Sequence, residues 1–268
     1  MSLIMEFNKL KLEIQDKIAK ITFINAEKLN PLDLETGKEL SQVLDQLKNR
    51  EDFRVLIITG SGKGFSAGGN VKGFLKTIED GTASKYMDDL TKDLYGIALK
   101  LREFPKPVIA AVNGYAMGAG MNLALCCDFV IASEKALFAE SFSKLGLIPG
   151  FLGTHLLINQ LSWQKAAELA FFGEMISPQE LEKLGLVNRV VQHEDLEKFT
   201  WEFAQKLAIG PTLAYTRTKQ LFLQALKNDF RTHLEIERKV QIQSASTKDY
   251  EIGVRALIKK EKPEFIGK

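Results

Sequence analysis

Twenty consecutive residues of this 268-residue chain, 108–127, carry no charge: VIAAVNGYAMGAGMNLALCC. A segment of that length and character lies either in a membrane or in the core of a globular protein. Gly114 and Gly118 have the spacing of paired membrane helices. However, Asn113 and Asn122 interrupt the apolar run, and VIAAV followed by Asn-Gly is typical of a buried strand that ends in a turn. The segment therefore favours a globular core over a membrane span.

The same alternation of strand and helix patterns extends to both sides of this segment. Helices are predicted after Pro31, before Pro105 and at residues 117–127. Runs with the β-branched, apolar composition of buried strands separate these helices. Strands that alternate with helices build an α/β fold around a mostly parallel sheet. The four predicted strands cover residues 18–23, 55–59, 108–112 and 129–132.

The last part of the chain is mainly helical in its pattern. A capping box with proline at the first helical position, Ser177-Pro-Gln-Glu180, begins one helix. Helical periodicity later covers residues 196–260, and a short strand is predicted before it at 186–191. This shift in pattern predicts a core of residues 1–195 and a helical C-terminal region of residues 196–268.

Charge and cysteine content restrict the classes of partner and compartment. The 36 basic and 34 acidic residues are interspersed, so no basic patch for nucleic acid is expected. Cys126 and Cys127 are adjacent and cannot cross-link distant segments, which indicates a reducing compartment. No signal-peptide pattern opens the chain, and no Cys/His spacing indicates a metal site. We therefore expect a cytoplasmic protein without a bound metal.

Two glycine-rich loops follow predicted strands, GFSAGG at 64–69 and NGYAMGAG at 113–120. Neither fits a nucleotide fingerprint, because Gly64 replaces the Ser or Thr of a phosphate loop and Leu123 replaces the third glycine of a dinucleotide loop. Small residues instead allow a ligand to approach backbone N–H groups. Two such donors form an oxyanion hole, which stabilises an enolate or tetrahedral oxygen. The alternative is that the glycines only permit tight turns.

The combination of motifs resembles the crotonase superfamily, the enoyl-CoA hydratases and isomerases, over nearly the whole chain. The matching segments are VLIITGSGKGFSAGGNVKGF, KPVIAAVNGYAMGAGMNLALCCDFVIAS, LGLIPGFLGTHLL, FFGEMISPQELEKLGLVNRVV and EKPEFIGK. Within this superfamily, PTLAYTRTKQLF and the helices after it look most like the isomerases of phenylacetate and fatty-acid breakdown.

The resemblance implies a crotonase-like spiral of ββα units, followed by helices that assemble homotrimers or hexamers. It also implies that a coenzyme A thioester is the substrate and that no cofactor is covalently bound. Carried over by position, the oxyanion donors would be the N–H groups of Ala67 and Ala119. The residues that would contact coenzyme A are Lys28 at a phosphate and Gly69, Asn70 and Val71 at the adenine.

The carboxylates expected from the resemblance are missing. Family hydratases place one glutamate where Asn122 stands and another where Phe142 stands, and some isomerases place an aspartate where Gly150 stands. An amide does not abstract a proton at neutral pH, and the loss of a positioned base typically costs about 10² to 10⁴ in rate. Asn122 can still orient water or a carbonyl, and the ring of Phe142 makes the pocket more apolar.

Glu140 is the first candidate for a replacement catalytic carboxylate, because it is two residues from Phe142. The alternative is that Glu140 is a solvated surface residue. Tyr86 is a further candidate for the substrate pocket, and its alternative role is in the apolar face of its helix. These residues predict an acyl-CoA enzyme in which isomerisation or decarboxylation through an enolate is favoured over hydration. Two alternatives are a non-catalytic acyl-CoA binding or assembly protein, and loops that are purely structural.

Overall fold

The computed structural model describes residues 3–268 as a mixed α/β structure. The strands are β1 (Leu3–Glu6), β2 (Leu10–Gln15), β3 (Ile18–Phe23), β4 (Val55–Gly60), β5 (Gly64–Ser66), β6 (Val108–Val112), β7 (Tyr115–Met117), β8 (Phe129–Ser133), β9 (Leu137–Ala139) and β10 (Arg189–Val191). The helices are α1 (Leu34–Lys48), α2 (Val71–Glu79), α3 (Ala83–Arg102), α4 (Ala119–Leu125), α5 (Gly153–Gln160), α6 (Trp163–Phe172), α7 (Pro178–Lys183), α8 (Leu196–Ala208), α9 (Thr212–Ala225), α10 (Phe230–Ala245) and α11 (Lys248–Lys259).

The larger of two sheets has the strand order β1-β2-β3-β4-β6-β8-β10. β1, β2 and β3 pair antiparallel, and from β3 onward every pair is parallel. Ile21 is opposite Ile58, which is opposite Ala110, so the centre of the sheet is apolar across its width. Parallel strands buried on both faces require such continuous apolar runs, which explains why their positions were evident in the sequence.

The smaller sheet consists of the parallel strands β5-β7-β9. Each of its strands follows a strand of the larger sheet, so that β4 leads to β5, β6 to β7, and β8 to β9. Successive turns of the chain therefore add one strand to each of the two sheets, which confirms the predicted spiral of ββα units. This arrangement places the two glycine-rich loops beside each other on neighbouring turns.

The helix predicted at 117–127 is shorter than expected. Residues Tyr115–Met117 form β7, where Met117 pairs with Ala139, and α4 begins only at Ala119. The prediction was wrong at this end because pairing with a strand more than twenty residues away overrides local helix propensity. The strand predicted at 186–191 is likewise reduced to Arg189–Val191.

The core lies on both faces of the larger sheet. One face packs against helices that include α1, α3 and α4, and the other face packs against α8. Leu196, Ala204 and Ala208 of α8 are buried against Ile57 and Ile109 of the sheet. A boundary at residue 196 therefore divides side chains that pack together, so α8 belongs structurally with the core. Residues 212–259, in α9 to α11, extend beyond it.

The C-terminal helices expose a large apolar surface. Phe230 is 96% exposed, and Leu257 and Ile258 are 81% and 77% exposed. Scattered exposed apolar residues are ordinary, but side chains of this size and exposure are also typical of protein interfaces. Among the residues that the structure describes, no helix combines the length and apolar character required to cross a membrane.

Candidate active site

The first glycine-rich loop connects β5 to α2. The backbone N–H of Ala67 donates a hydrogen bond to the carbonyl oxygen of Leu29 at 2.8 Å, so this donor is already used inside the protein. The prediction that Ala67 supplies an oxyanion donor is therefore corrected. Two residues later, the N–H of Gly69 has no acceptor among residues 3–268, and Gly69 lines a cavity between this loop and α3.

The second loop brings Ala119 to the same cavity. Ala119 is the first residue of α4, and its N–H has no acceptor in the described part of the chain. A Cβ added to Gly68 would overlap the carbonyl oxygen of Met117 and lie 3.3 Å from the nitrogen of Ala119. The absence of a side chain at Gly68, which has a φ of +76°, thus allows the two loops to meet through their backbones. Gly69 and Ala119, whose N–H groups are both unused, therefore line one space.

That space is an apolar cavity of about 180 Å³. Phe142 and Gly150 line it, as do Val71 and Ala67. Large apolar side chains complete most of its wall. They include Phe74, Met87, Leu90, Leu94, Leu145 and Ile148. The cavity is therefore suited to an apolar acyl group whose carbonyl oxygen lies against the two loops.

Asn122 and Glu140 lie together behind this wall. Asn122 is fully buried and Glu140 is 1% exposed. The side-chain amide of Asn122 donates to the carbonyl oxygen of Gly150 at 2.9 Å and to Glu140 Oε2 at 3.4 Å. The alternative of a solvated surface role for Glu140 is therefore wrong, although neither Glu140 nor Asn122 lines the cavity itself.

Burial without a charged partner changes the ionisation of Glu140. Desolvation raises the pKa of its carboxyl from 4.5 to about 8, and the hydrogen bond from Asn122 only partly opposes this rise. Glu140 Oε1 and Asn122 Oδ1 have no hydrogen-bond partner among the described residues. A buried carboxyl that titrates near neutral pH, with unsatisfied acceptors beside it, is a typical feature of a functional site.

The geometry agrees with the comparisons to known proteins. The family model "Enoyl-CoA hydratase/isomerase" matches residues 13–268. The chain is 34% identical to a 1,2-epoxyphenylacetyl-CoA isomerase of Escherichia coli, over 95% of this chain and 97% of that protein. It is 33% identical to a probable enoyl-CoA hydratase of Rhodobacter capsulatus, over 98% of this chain and 100% of that protein.

A solved structure gives the same result for the fold. An enoyl-CoA hydratase from Polaromonas sp. JS666 superposes with a TM-score of 0.91 and 32% identity, over 96% of this chain and 99% of that chain. The chain belongs to the enoyl-CoA hydratase/isomerase family. It is thus a member of the crotonase superfamily, whose enzymes act on coenzyme A thioesters.

The residues with an expected contact to coenzyme A in this family lie around the first loop. Asn70 is the N-cap of α2, and its Oδ1 accepts a hydrogen bond from Gly73 N–H at 3.2 Å. Val71 is 55% exposed at the rim of the cavity. Lys28 is exposed and directly precedes Leu29, whose carbonyl oxygen accepts the hydrogen bond from Ala67 N–H. These side chains are accessible to a ligand that extends out of the cavity.

One predicted pocket residue of this family member lies elsewhere, and another was missed. Tyr86 does not line the cavity: it packs against the core and meets the Phe74 ring edge-on at 6.1 Å. Tyr95 does line the cavity. A sequence signal existed, because Met87, Thr91 and Tyr95 are spaced i, i+4, i+8 on α3 and form a stripe beside its buried face. Within residues 3–268, no three His, Cys, Asp or Glu side chains cluster as metal ligands.

Proposed function

We propose that this family member is an acyl-CoA isomerase that stabilises a thioester enolate with the N–H groups of Gly69 and Ala119. The observation that carries the proposal is the pair of unused N–H groups at the end of an apolar cavity. An oxyanion that forms at such donors is stabilised more than the ground-state carbonyl, and each donor contributes about 10² to 10³ in rate.

Glu140 is the proposed base that removes a proton from the substrate, in place of the missing carboxylates. A pKa of about 8 leaves it partly ionised near neutral pH and makes it a stronger base than an ordinary glutamate. Glu140 contacts Asn122 and neither residue lines the cavity, so proton transfer requires a shift of these side chains or a bridging water. Since the ionised carboxylate is the active form, activity should rise with pH through about 8.

Decarboxylation is the second candidate, and the cavity wall favours it. None of the described residues that line the cavity is Asp, Glu, His, Lys or Arg. Loss of CO₂ generates an enolate directly and requires no base, so such a wall would suffice. Hydration by a pair of carboxylates finds no support, because Asn122 and Phe142 occupy those positions.

The surroundings support the remaining parts of the proposal. Lys28, Asn70 and Val71 would contact the coenzyme A moiety outside the cavity, and no covalently bound cofactor is required. The exposed apolar side chains of α10 and α11, which include Phe230 and Leu257, support assembly into a homotrimer or hexamer. We place the enzyme in the cytoplasm, without a nucleic-acid or membrane partner.

The test is proton exchange in D₂O with a panel of thioesters: hexanoyl-CoA, 3-hexenoyl-CoA, 2-hexenoyl-CoA and methylmalonyl-CoA. Mass spectrometry follows deuterium at the α and γ carbons and the loss of CO₂. Exchange with double-bond migration supports an isomerase, and CO₂ release without α-exchange of hexanoyl-CoA supports a decarboxylase. A rise in melting temperature with the thioesters but no reaction would identify a non-catalytic binding protein. No thermal shift and no reaction would leave the loops a purely structural role.

A further inference from the structure

Tyr95 lines the candidate acyl cavity and is 44% exposed, and its hydroxyl lies beside Gly150. The side chain projects from α3 and lines the cavity together with Gly150. A Cβ added to Gly150 would lie 2.5 Å from Tyr95 Oη and 3.2 Å from Cζ. The phenol therefore fills the space that any side chain at position 150 would occupy, and the missing side chain of Gly150 is what admits it.

The hydroxyl of Tyr95 is available to a ligand. It has no hydrogen-bond partner among residues 3–268. The hydroxyl of Thr91 also lines the cavity, but it donates back to the carbonyl oxygen of Met87 on its own helix at 2.8 Å. Tyr95 is the one residue of the described wall whose side chain carries a phenolic acid group.

Tyr95 and Asn122, the partner of Glu140, contact different atoms of Gly150. The carbonyl oxygen of Gly150 receives the amide of Asn122, which also contacts Glu140, whereas its Cα faces the phenol of Tyr95. Double-bond migration requires that a proton leaves one carbon and arrives at another. Two proton carriers suit that requirement better than one buried carboxyl does.

We propose that Tyr95 is the catalytic acid that protonates the γ carbon of the dienolate. This step rests on the proposed isomerase function. Glu140 takes the α proton and the thioester oxygen gains negative charge at the Gly69 and Ala119 N–H groups. The O–H bond of Tyr95 then breaks, a C–H bond forms at the γ carbon, and the double bond moves to the α,β position. The phenolate regains a proton from water, and Glu140 releases its own to water.

The decisive experiment compares Tyr95→Phe with the wild type on 3-hexenoyl-CoA in D₂O. The substitution removes one oxygen atom, so conversion to 2-hexenoyl-CoA should fall about 10²-fold or more while KM stays within about threefold. Washout of the α proton in unconverted substrate should continue, so the ratio of α-exchange to conversion should rise by about the same factor. A purely structural role would slow both processes together.

Tyr86→Phe is the matched control, because it removes the same atom from the same helix outside the cavity. It should keep wild-type conversion and the wild-type exchange ratio. Equal conversion by wild type and Tyr95→Phe, or an unchanged exchange ratio, overturns the role of Tyr95 and leaves the isomerase intact. If the wild type neither exchanges nor converts 3-hexenoyl-CoA, both the proposed isomerase function and the proposed role of Tyr95 as the acid are overturned.

Gly150→Ala provides an independent test of the geometry. The new Cβ would displace the phenol oxygen, so conversion should fall in the otherwise wild-type protein. In a Tyr95→Phe background the hydroxyl is absent, and the nearest atom to the new Cβ is the ring carbon Cζ at 3.2 Å. Gly150→Ala should therefore reduce conversion by less than about a further threefold in that background. Full additivity of the two substitutions would contradict the proposed placement of the hydroxyl.

Discussion

Asp128 and Glu140 are both withdrawn from solvent, but only Asp128 has a charged partner. Asp128 Oδ2 accepts hydrogen bonds from Lys219 Nζ and from the backbone N–H of Val108, both at 2.8 Å. Glu140 has a single long contact at 3.4 Å to the amide of Asn122, and its other oxygen has no partner within residues 3–268. The Asp128 carboxyl thus has two short hydrogen bonds, one of them from a cation, whereas the Glu140 carboxyl has neither.

The difference separates a structural use of burial at Asp128 from the functional use that we propose for Glu140. Lys219 lies on α9 and also donates to the carbonyl oxygen of Leu101 at 2.9 Å, so the ion pair with Asp128 fastens a C-terminal helix to the core. Glu140 forms no ion pair of this kind, and desolvation raises its pKa to about 8. A buried polar group that lacks partners destabilises a protein, and such groups concentrate where the chemistry requires them.

The largest effect on activity is expected from Glu140→Gln. The amide keeps the size of the side chain but cannot accept the α proton, so turnover of 3-hexenoyl-CoA and α-exchange should both fall about 10² to 10⁴-fold. Glu168→Gln, the same change at an exposed glutamate, is the control and should keep wild-type turnover. Undiminished exchange in Glu140→Gln would remove Glu140 from the mechanism.

Lys219→Met should have the largest effect on stability. It leaves the Asp128 carboxylate buried without its cation, and breaking such a pair typically costs about 3 to 5 kcal/mol. Chemical denaturation measures the loss. Lys92→Met breaks the exposed ion pair with Asp88 and should leave the denaturation midpoint unchanged. Similar losses in the two variants would show that burial does not distinguish the two pairs.

The dependence of stability on pH should reveal Glu140 directly. The folded protein holds this proton up to a pKa of about 8, whereas the unfolded chain releases it near 4.5. Stability is therefore lost as pH rises between these values, and from pH 6 to 8 the wild type should lose about 2 kcal/mol relative to Glu140→Gln. Parallel stability curves for the two proteins would refute the raised pKa.

The smallest effect is expected from Asn122→Ala. It removes the donor to the Gly150 carbonyl oxygen and should cost on the order of 1 kcal/mol in the free energy of unfolding. The amide also lowers the pKa of Glu140, so its removal should move the rise of activity to higher pH. A pH profile that stays in place would show that Asn122 does not influence this carboxyl.

The fold was largely predictable because its buried strands and amphipathic helices have clear local patterns. Pro31, Pro105 and the Ser177 capping box also mark boundaries that local chemistry decides. The errors arose where distant segments interact. Tyr115–Met117 forms a strand because it pairs with Leu137–Ala139. Helix α8 belongs to the core because its apolar side chains bury the second face of the larger sheet.

The candidate site was likewise predictable only where a local sequence pattern marks it. The glycine-rich loops were evident in the sequence. The hydrogen bond from Ala67 N–H to the carbonyl oxygen of Leu29 was not, because it joins residues that are far apart in the chain. Glu140 was identified as a candidate, yet only the structure shows that it turns inward to Asn122. Tyr95 was missed although its spacing from Met87 and Thr91 placed it on one stripe of α3, because only the structure shows the contact of its hydroxyl with the space beside Gly150.

The contact between the two glycine-rich loops has a consequence for how such a protein can acquire new reactions. At Gly68 and at Gly120, an added side chain would collide with backbone atoms of the opposite loop. The distance between the Gly69 and Ala119 donors is therefore determined by direct contact between the two backbones. Side-chain substitution therefore has little effect on the proposed anchor of the thioester. The proposed proton carriers, Glu140 and Tyr95, act through side chains, so substitution can change them without altering the backbone contact between the two loops.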